Sequence, residues 1–294
     1  MPGLQDRFRE VAVDDAELAF DERVAVFVGV DDGRLQEAWA GQDGPQIALR
    51  EASSLGVAAV EHEELVAAGG NSAVDMEEVS QGRAVGVELD PGFCDAARDL
   101  WAEAGLDVVP GDFTRIVATS IRPVAPNLIL ANPPYIRHHH LQREDKDRLQ
   151  ALAYRLTGVE VNGLAGLYVY FLLLATAWLE DGGYAAWLIP SEFMDVNYGA
   201  ALKRYLTDCV TLIRAHRFDP DDVQFGDALV SSVVLVFRKM APPPAHAVEF
   251  TFGGTMRGPH ASDSIPLDQL RESRKWTVYP SHARNDRRAH TVHG

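Results

Sequence analysis

The residue types that can do chemistry are concentrated between residues 84 and 140. Glu88 follows the apolar run AVGV, Asp112 stands in GDF, and Asn132-Pro133-Pro134-Tyr135 follows LILA. A carboxylate at the end of the second strand of a nucleotide-binding sheet can accept hydrogen bonds from both ribose hydroxyls. Asp112 can accept from the exocyclic amine of an adenine. The N-P-P-Y sequence suits a different task. A conjugated amine is a poor nucleophile, because its lone pair is delocalised into the ring. To attack a methyl group it must move towards tetrahedral geometry, and acceptors aimed at its hydrogens stabilise the charge that develops. The Asn132 side-chain oxygen and the Pro133 carbonyl are two such acceptors. The prolines fix φ near about −65° and bring no amide hydrogen to compete for them. Tyr135 offers a flat face on which a base can stack, worth roughly 1–3 kcal/mol. Taken alone, a strand-end acid is more often a cap or a solvated turn, and Asp90, just before Pro91, has the marks of a helix N-cap. Three such ends on consecutive strands point to one site.

The elements that must position these residues alternate in type. AVGVELD (84–90) reads as a strand, PGFCDAARDLWAEAG (91–105) as a helix, LDVVPGDF (106–113) as a short strand and turn, and NLILANPPY (127–135) as a strand breaking into a loop. A helix is expected at about 164–179, a strand at GGYAAWLIP (182–190) and an amphipathic helix at NYGAALKRYLTDC (197–209). TLIRAHRF (211–218) and ALVSSVVLVFRK (228–239) follow as strands with no helix between them. This order predicts an α/β fold of Rossmann-like type. The sheet is mostly parallel, with an antiparallel strand pair at its C-terminal edge. In such a sheet ligands bind at the carboxyl ends of the strands. RVAVFVGV (23–30) also has the composition of a strand. The rest of residues 1–80 has weak periodicity.

Composition bounds the classes. The 294 residues carry a net charge of −16, with 47% apolar and 24% charged residues, as in a soluble globular protein. The acidity is local: residues 1–80 hold 18 acidic residues against 5 basic ones, and the remainder is nearly balanced. The argument of charge against nucleic-acid binding therefore applies mainly to the N-terminal quarter. Cys94 and Cys209 are far apart, lack metal-ligand spacing and read as packing residues. No metal site is expected, and a reducing, cytoplasmic location is. The apolar run Leu164–Leu179 is short for a membrane span and reads as a buried helix. His138-His139-His140 cannot all face one metal from a regular element, and reads as a loop near a DNA backbone or a solvated face.

AVGVELDP, GDF and LILANPPYIRHHHL, in this order and spacing, resemble S-adenosylmethionine-dependent N6-adenine-specific DNA methyltransferases. The type is the Eco57I-like restriction–modification methylase, related to the TaqI enzyme. The likeness continues through residues 166–206, with the block IPSEFMDVNYG, and covers about residues 84–240. It implies S-adenosyl-L-methionine as cofactor, with Glu88 on its ribose and Asp112 and Phe113 at its adenine. It implies Asn132, Pro133, Pro134 and Tyr135 as the catalytic motif. The substrate would be double-stranded DNA with a flipped adenine, since N6 cannot be reached inside the duplex. An aromatic after the fifth strand would pack on that base, with Tyr198 the first candidate and Phe193 the second. An associated restriction endonuclease is a further implied partner.

The chain departs from the family at both ends. The family's glycine-rich cofactor loop is expected about 20 residues before Glu88. VAAGGNSAVD (66–75) stands there, so Gly69 and Gly70 take that role by position, without the expected Asp-Pro start. VFVGVDDG (26–33) has a better strand but lies far earlier. The division expected is an atypical acidic segment (1–80), a methyltransferase catalytic domain (81–240) and the start of a truncated target-recognition region (241–294). Two other enzymes use N-P-P-aromatic for the same reason, one methylating protein glutamine and one ribosomal-RNA guanine. With a non-catalytic remnant of the DNA methylase family, they are the alternatives.

Overall fold

The computed structural model describes residues 24–28, 83–101, 106–121, 125–126, 128–219, 231–256 and 258–281. The chain divides into two compact units. The first comprises residues 1–134 and 178–186, the second residues 135–177 and 187–294.

The first unit is built on parallel strands. They are β1 (Val24–Val28), β2 (Arg83–Glu88), β3 (Leu106–Pro110) and β4 (Leu128–Ala131), in the order β3-β2-β1-β4, with residues 184–186 of β5 (Tyr184–Pro190) next. Each strand is rich in Val, Ile, Leu or Ala, as a sheet covered on both faces requires. Helix α1 (Pro91–Trp101) follows β2. The Asp90 carboxylate accepts the Gly92 amide at 2.8 Å, so Asp90 caps the helix and Pro91 opens it, as the sequence predicts. Arg98 ties α1 to β3 through the Val108 carbonyl at 2.8 Å. The short helix α2 (Ala118–Ile121) precedes β4.

The central strand of this unit is β1, from the acidic N-terminal segment. It pairs with β2 on one side and β4 on the other. Residues 29–82 separate it from β2. The spacing expected before Glu88 makes a sheet strand so early in the chain unexpected.

The second unit carries residues 187–190 of β5, then β6 (Thr211–Arg217), β7 (Ser232–Arg238), β8 (Ala247–Gly254) and β9 (Pro259–Pro266), in the order β5-β7-β6-β8-β9. β6 and β7 are antiparallel, as expected, but they are not at an edge. β8 runs parallel to β6 on its other side, and β9 returns antiparallel along β8. Residues 247–266, read from sequence as the start of another region, thus extend the strands of this unit.

Its helices are α3 (Arg143–Thr157), α4 (Leu167–Ala175), α5 (Ala200–Arg204) and α6 (Leu267–Glu272). Every residue of α4 is buried, which explains its unbroken apolar run. No helix among the described residues is long and apolar enough to cross a membrane. The expected amphipathic helix at 197–209 is three pieces: a 3-10 turn (Asn197–Gly199), α5 and a π turn (Tyr205–Cys209). Helix α3 was not foreseen, because only Leu149 and Ala153 face inward.

His216 in β6 gives this unit an acid-sensitive core. It is fully buried, its Nδ1 lies 2.8 Å from Thr251 Oγ1, and its Nε2 has no hydrogen-bond partner among the described residues. Burial, then the charges of Arg214 and His260, lower its pKa to about 4. The folded chain therefore keeps His216 neutral, while the unfolded chain takes up a proton near pH 6.5. Stability falls as pH drops from about 6.5 towards 4. Urea midpoints at about pH 7 and pH 4.5 are expected to differ less in H216Q than in the native chain, by up to about 3 kcal/mol.

Candidate active site

In the first unit, register brings the predicted residues to one edge. Val28 is level with Val87 of β2 and with Ala131 of β4. Glu88 and Asn132 are therefore each one residue beyond that line, on either side of β1. With strands about 4.8 Å apart, their backbones lie roughly 10 Å from each other. Glu88 is level with Pro110, so Gly111 and Asp112 leave β3 at the same edge.

The two acids are held by their own turns. The Asp90 amide donates to Glu88 Oε1 at 2.8 Å, and the Gly111 amide donates to the Glu88 carbonyl at 2.8 Å. Gly111 has a φ of 153°, a conformation few side chains adopt, and it turns the chain from β3 into Asp112. Asp112 Oδ1 accepts from the Thr114 amide at 2.8 Å and the Thr114 hydroxyl at 2.7 Å, while Oδ2 accepts from Arg115 Nε at 3.2 Å. Phe113 is buried and stacks on Trp178, with ring centroids 5.1 Å apart. Two carboxylates are thus fixed at this edge, and Phe113 next to Asp112 is buried. That set of acceptors fits the hydroxyls and exocyclic amine of a nucleoside. Gly69 and Gly70 lie outside the described residues.

Asn132 supplies the least expected feature. Its Oδ1 is buried and has no hydrogen-bond partner among the described residues. An unsatisfied buried acceptor costs about 1–3 kcal/mol, and such groups are rare in folded proteins. Pro133 and Pro134 behind it are buried.

In the second unit, Tyr135 is 40% exposed, and its hydroxyl donates to the Leu188 carbonyl of β5 at 3.1 Å. One end of the ring is anchored and the rest is accessible. The segment after β5 forms a 3-10 turn (Ser191–Met194) and then Asn197–Gly199. Tyr198 is half-buried there. Burial, then the Glu192 carboxylate, holds its phenol well above the usual tyrosine range. Tyr168 of α4 is raised further, by burial first and then by Tyr198, Glu192 and Tyr135. Tyr135, Tyr168, Tyr198 and Glu192 therefore form one group, in which the phenols of Tyr168 and Tyr198 stay protonated. Phe193 is different. It is fully buried, edge-to-face with Trp276 at 6.3 Å, and has no face open to a ligand.

Several residues that hold this turn have no local sequence signature. Lys203 Nζ donates to the Met194 carbonyl and, at 2.6 Å, to the Arg274 carbonyl. Burial, only partly offset by Asp195, lowers the Lys203 pKa to about 8. Thr277 Oγ1 donates to the Asp195 carboxylate at 2.6 Å. Gly199 is required by close approach. A Cβ there would lie 1.9 Å from the Phe193 carbonyl oxygen, which is backbone and cannot rotate away. G199A is expected to cost about 1–3 kcal/mol and to displace Tyr198. Thermal unfolding checks the cost, and a crystal structure of the variant checks the displacement.

Residues 127–224 match the family described as Eco57I restriction-modification methylase. The chain is 31% identical over 150 residues to the type II methyltransferase M.XamI of Xanthomonas campestris pv. amaranthicola, covering 51% of this chain and 28% of that protein. It is 33% identical over 108 residues to the type II methyltransferase M.AccI of Acinetobacter calcoaceticus, covering 37% of this chain and 19% of that protein. The chain thus spans less than a third of the length of either relative. Among solved structures it is similar to the type IIG restriction endonuclease BpuSI, with a TM-score of 0.58 at 14% identity over 90% of this chain and 34% of that one. It is also similar to the methyltransferase subunit of a type I restriction-modification system from Streptococcus thermophilus, with a TM-score of 0.53 at 12% identity over 92% and 48% of the two chains. At these identities the likeness concerns the fold, which is that of a methyltransferase-type α/β protein. Within that class, the segment 127–224 resembles the restriction-modification methylase family.

Proposed function

We propose that the chain transfers a methyl group from S-adenosylmethionine to N6 of adenine in DNA, as the modification enzyme of a restriction–modification system. The buried, unpartnered Asn132 Oδ1 carries this reading, because it is an acceptor waiting for a donor at the sheet's ligand-binding edge. The cofactor would supply an electrophilic methyl on its sulfonium. Glu88 would hold its ribose, and Asp112 and Phe113 its adenine. Asn132 Oδ1 and the Pro133 carbonyl would accept the two hydrogens of the target amine as its nitrogen moves towards tetrahedral geometry. Tyr135 and Tyr198 would stack on the flipped base. The two relatives bear the name of type II methyltransferases, which supports DNA as the substrate, and a restriction endonuclease as partner follows from that setting.

The test is transfer of labelled methyl from S-adenosylmethionine to duplex DNA, followed by nucleoside analysis of the product. N6-methyladenine is expected. Label in cytosine, in RNA or in a protein glutamine would replace the substrate assignment. An absence of cofactor binding by calorimetry would remove the enzyme reading altogether.

A further inference from the structure

The triple histidine lies outside the chemistry assigned above. His138, His139 and His140 form a 3-10 turn directly after Arg137. The His139 and His140 rings are 4.1 Å apart, and those of His138 and His139 are 5.5 Å apart and edge-to-face. Arg137, His139 and His140 are exposed. With Tyr135 and Ile136 they line an open depression of about 540 Å³. No carboxylate pairs with Arg137 or with the three histidines among the described residues. The charges that act on His139 come from His140, His138, Arg137 and Lys146, all basic. Outside the acidic N-terminal quarter the chain is nearly balanced in charge, and this turn is a local cluster of basic groups.

We infer that this depression binds a backbone phosphate of the DNA beside the target nucleotide. The inference rests on the functional reading above. Three observations support it. The donors suit the ligand: a guanidinium grips phosphate oxygens bidentately, and imidazole N–H groups add single donors. Tyr135, proposed to stack on the flipped base, also lines the depression, so a phosphate there would be a near neighbour of that base. Phosphate contacts also make up half to two-thirds of the hydrogen bonds of protein–DNA complexes, and they fix register rather than sequence.

The experiment measures binding of a duplex by fluorescence anisotropy across about 50–200 mM NaCl, for the native chain, R137Q, R137K and the double substitution H139N/H140N. Loss of one phosphate contact lowers the slope of log K against log salt by about 0.9. R137Q is expected to show that loss with weaker binding at low salt, and R137K to retain the native slope. H139N/H140N is expected to reduce the slope as well. All substituted positions are exposed, and an unchanged melting temperature will show that the fold is retained. Native slopes in R137Q and H139N/H140N would overturn the phosphate assignment while leaving the methyltransferase reading in place. Failure of the native chain to bind duplex DNA would overturn both.

Discussion

Replacing Asn132 by alanine is expected to lower the rate of methyl transfer by at least about 10²–10³-fold, the usual cost of removing one preorganised group that meets developing charge. The same substitution is expected to leave S-adenosylmethionine affinity within about twofold of native. Glu88 and Asp112, which would hold the cofactor, are oriented by Asp90, Thr114 and Arg115 and not by Asn132. Stability separates this role from a structural one. A buried amide that held the fold together would be missed on deletion. Here Oδ1 has no partner, so N132A relieves an unsatisfied acceptor. The melting temperature should stay level or rise while activity disappears. A large fall in melting temperature would mean that Asn132 is a structural residue and that the catalytic assignment is wrong.

The second large effect is expected at Trp276, far along the sequence from Asn132 and Tyr135. Trp276 is fully buried. It meets Phe193 edge-to-face at 6.3 Å and Phe250 at 5.7 Å, and its Nε1 donates to the Leu270 carbonyl at 3.2 Å. The Lys203 ammonium lies 5.7 Å above its ring. Trp276 thus joins β8, α6 and the turn that carries Tyr198. W276A is expected to destabilise the second unit by about 3–5 kcal/mol, the range for deleting a buried aromatic. W276F keeps most of the buried surface but loses the indole donor, and about 1–2 kcal/mol is expected. Urea denaturation measures both. A cost below about 1 kcal/mol for W276A would mean that residues after 240 are not part of this core.

What was legible in the sequence follows from how much each element buries. β2, β4, β6 and β7 have buried, β-branched or apolar interiors, and their positions were read to within a few residues. Asp112 and the Asn-Pro-Pro-Tyr run stand where apolar patterns stop, so they were visible as interruptions. α3 shows only a two-residue stripe to the core, although Glu144 and Asp145 in its first turn and the left-handed Gly158 at its end were usable signals. β9 buries little besides Ile265, and its alternation of polar residues passed for loop. β1 was visible as a strand, but a family spacing rule displaced it. Strand order in a parallel sheet does not fix how long the connection must be, and here residues 29–82 intervene. The group of Tyr168, Tyr198 and Glu192 could not be seen at all, because tertiary proximity alone assembles it.

The run APPPA (241–245) is the place where the sequence invites a cut, and β8 and β9 show why a chain ended there would behave badly. β6 would lose a parallel neighbour and present unpaired amides and carbonyls along Arg214–Arg217. Val248, Phe250 and Phe252, which β8 contributes to the core, would no longer cover their neighbours. A bare strand flanked by apolar surface recruits another copy of itself, so the shortened chain would self-associate rather than stay in solution. β9 prevents this in the intact chain. It ends in Pro259 and Pro266, and the side chains of Ser262 and Ser264 are exposed. It is the protective rim of the second unit, a role that needs no part in catalysis.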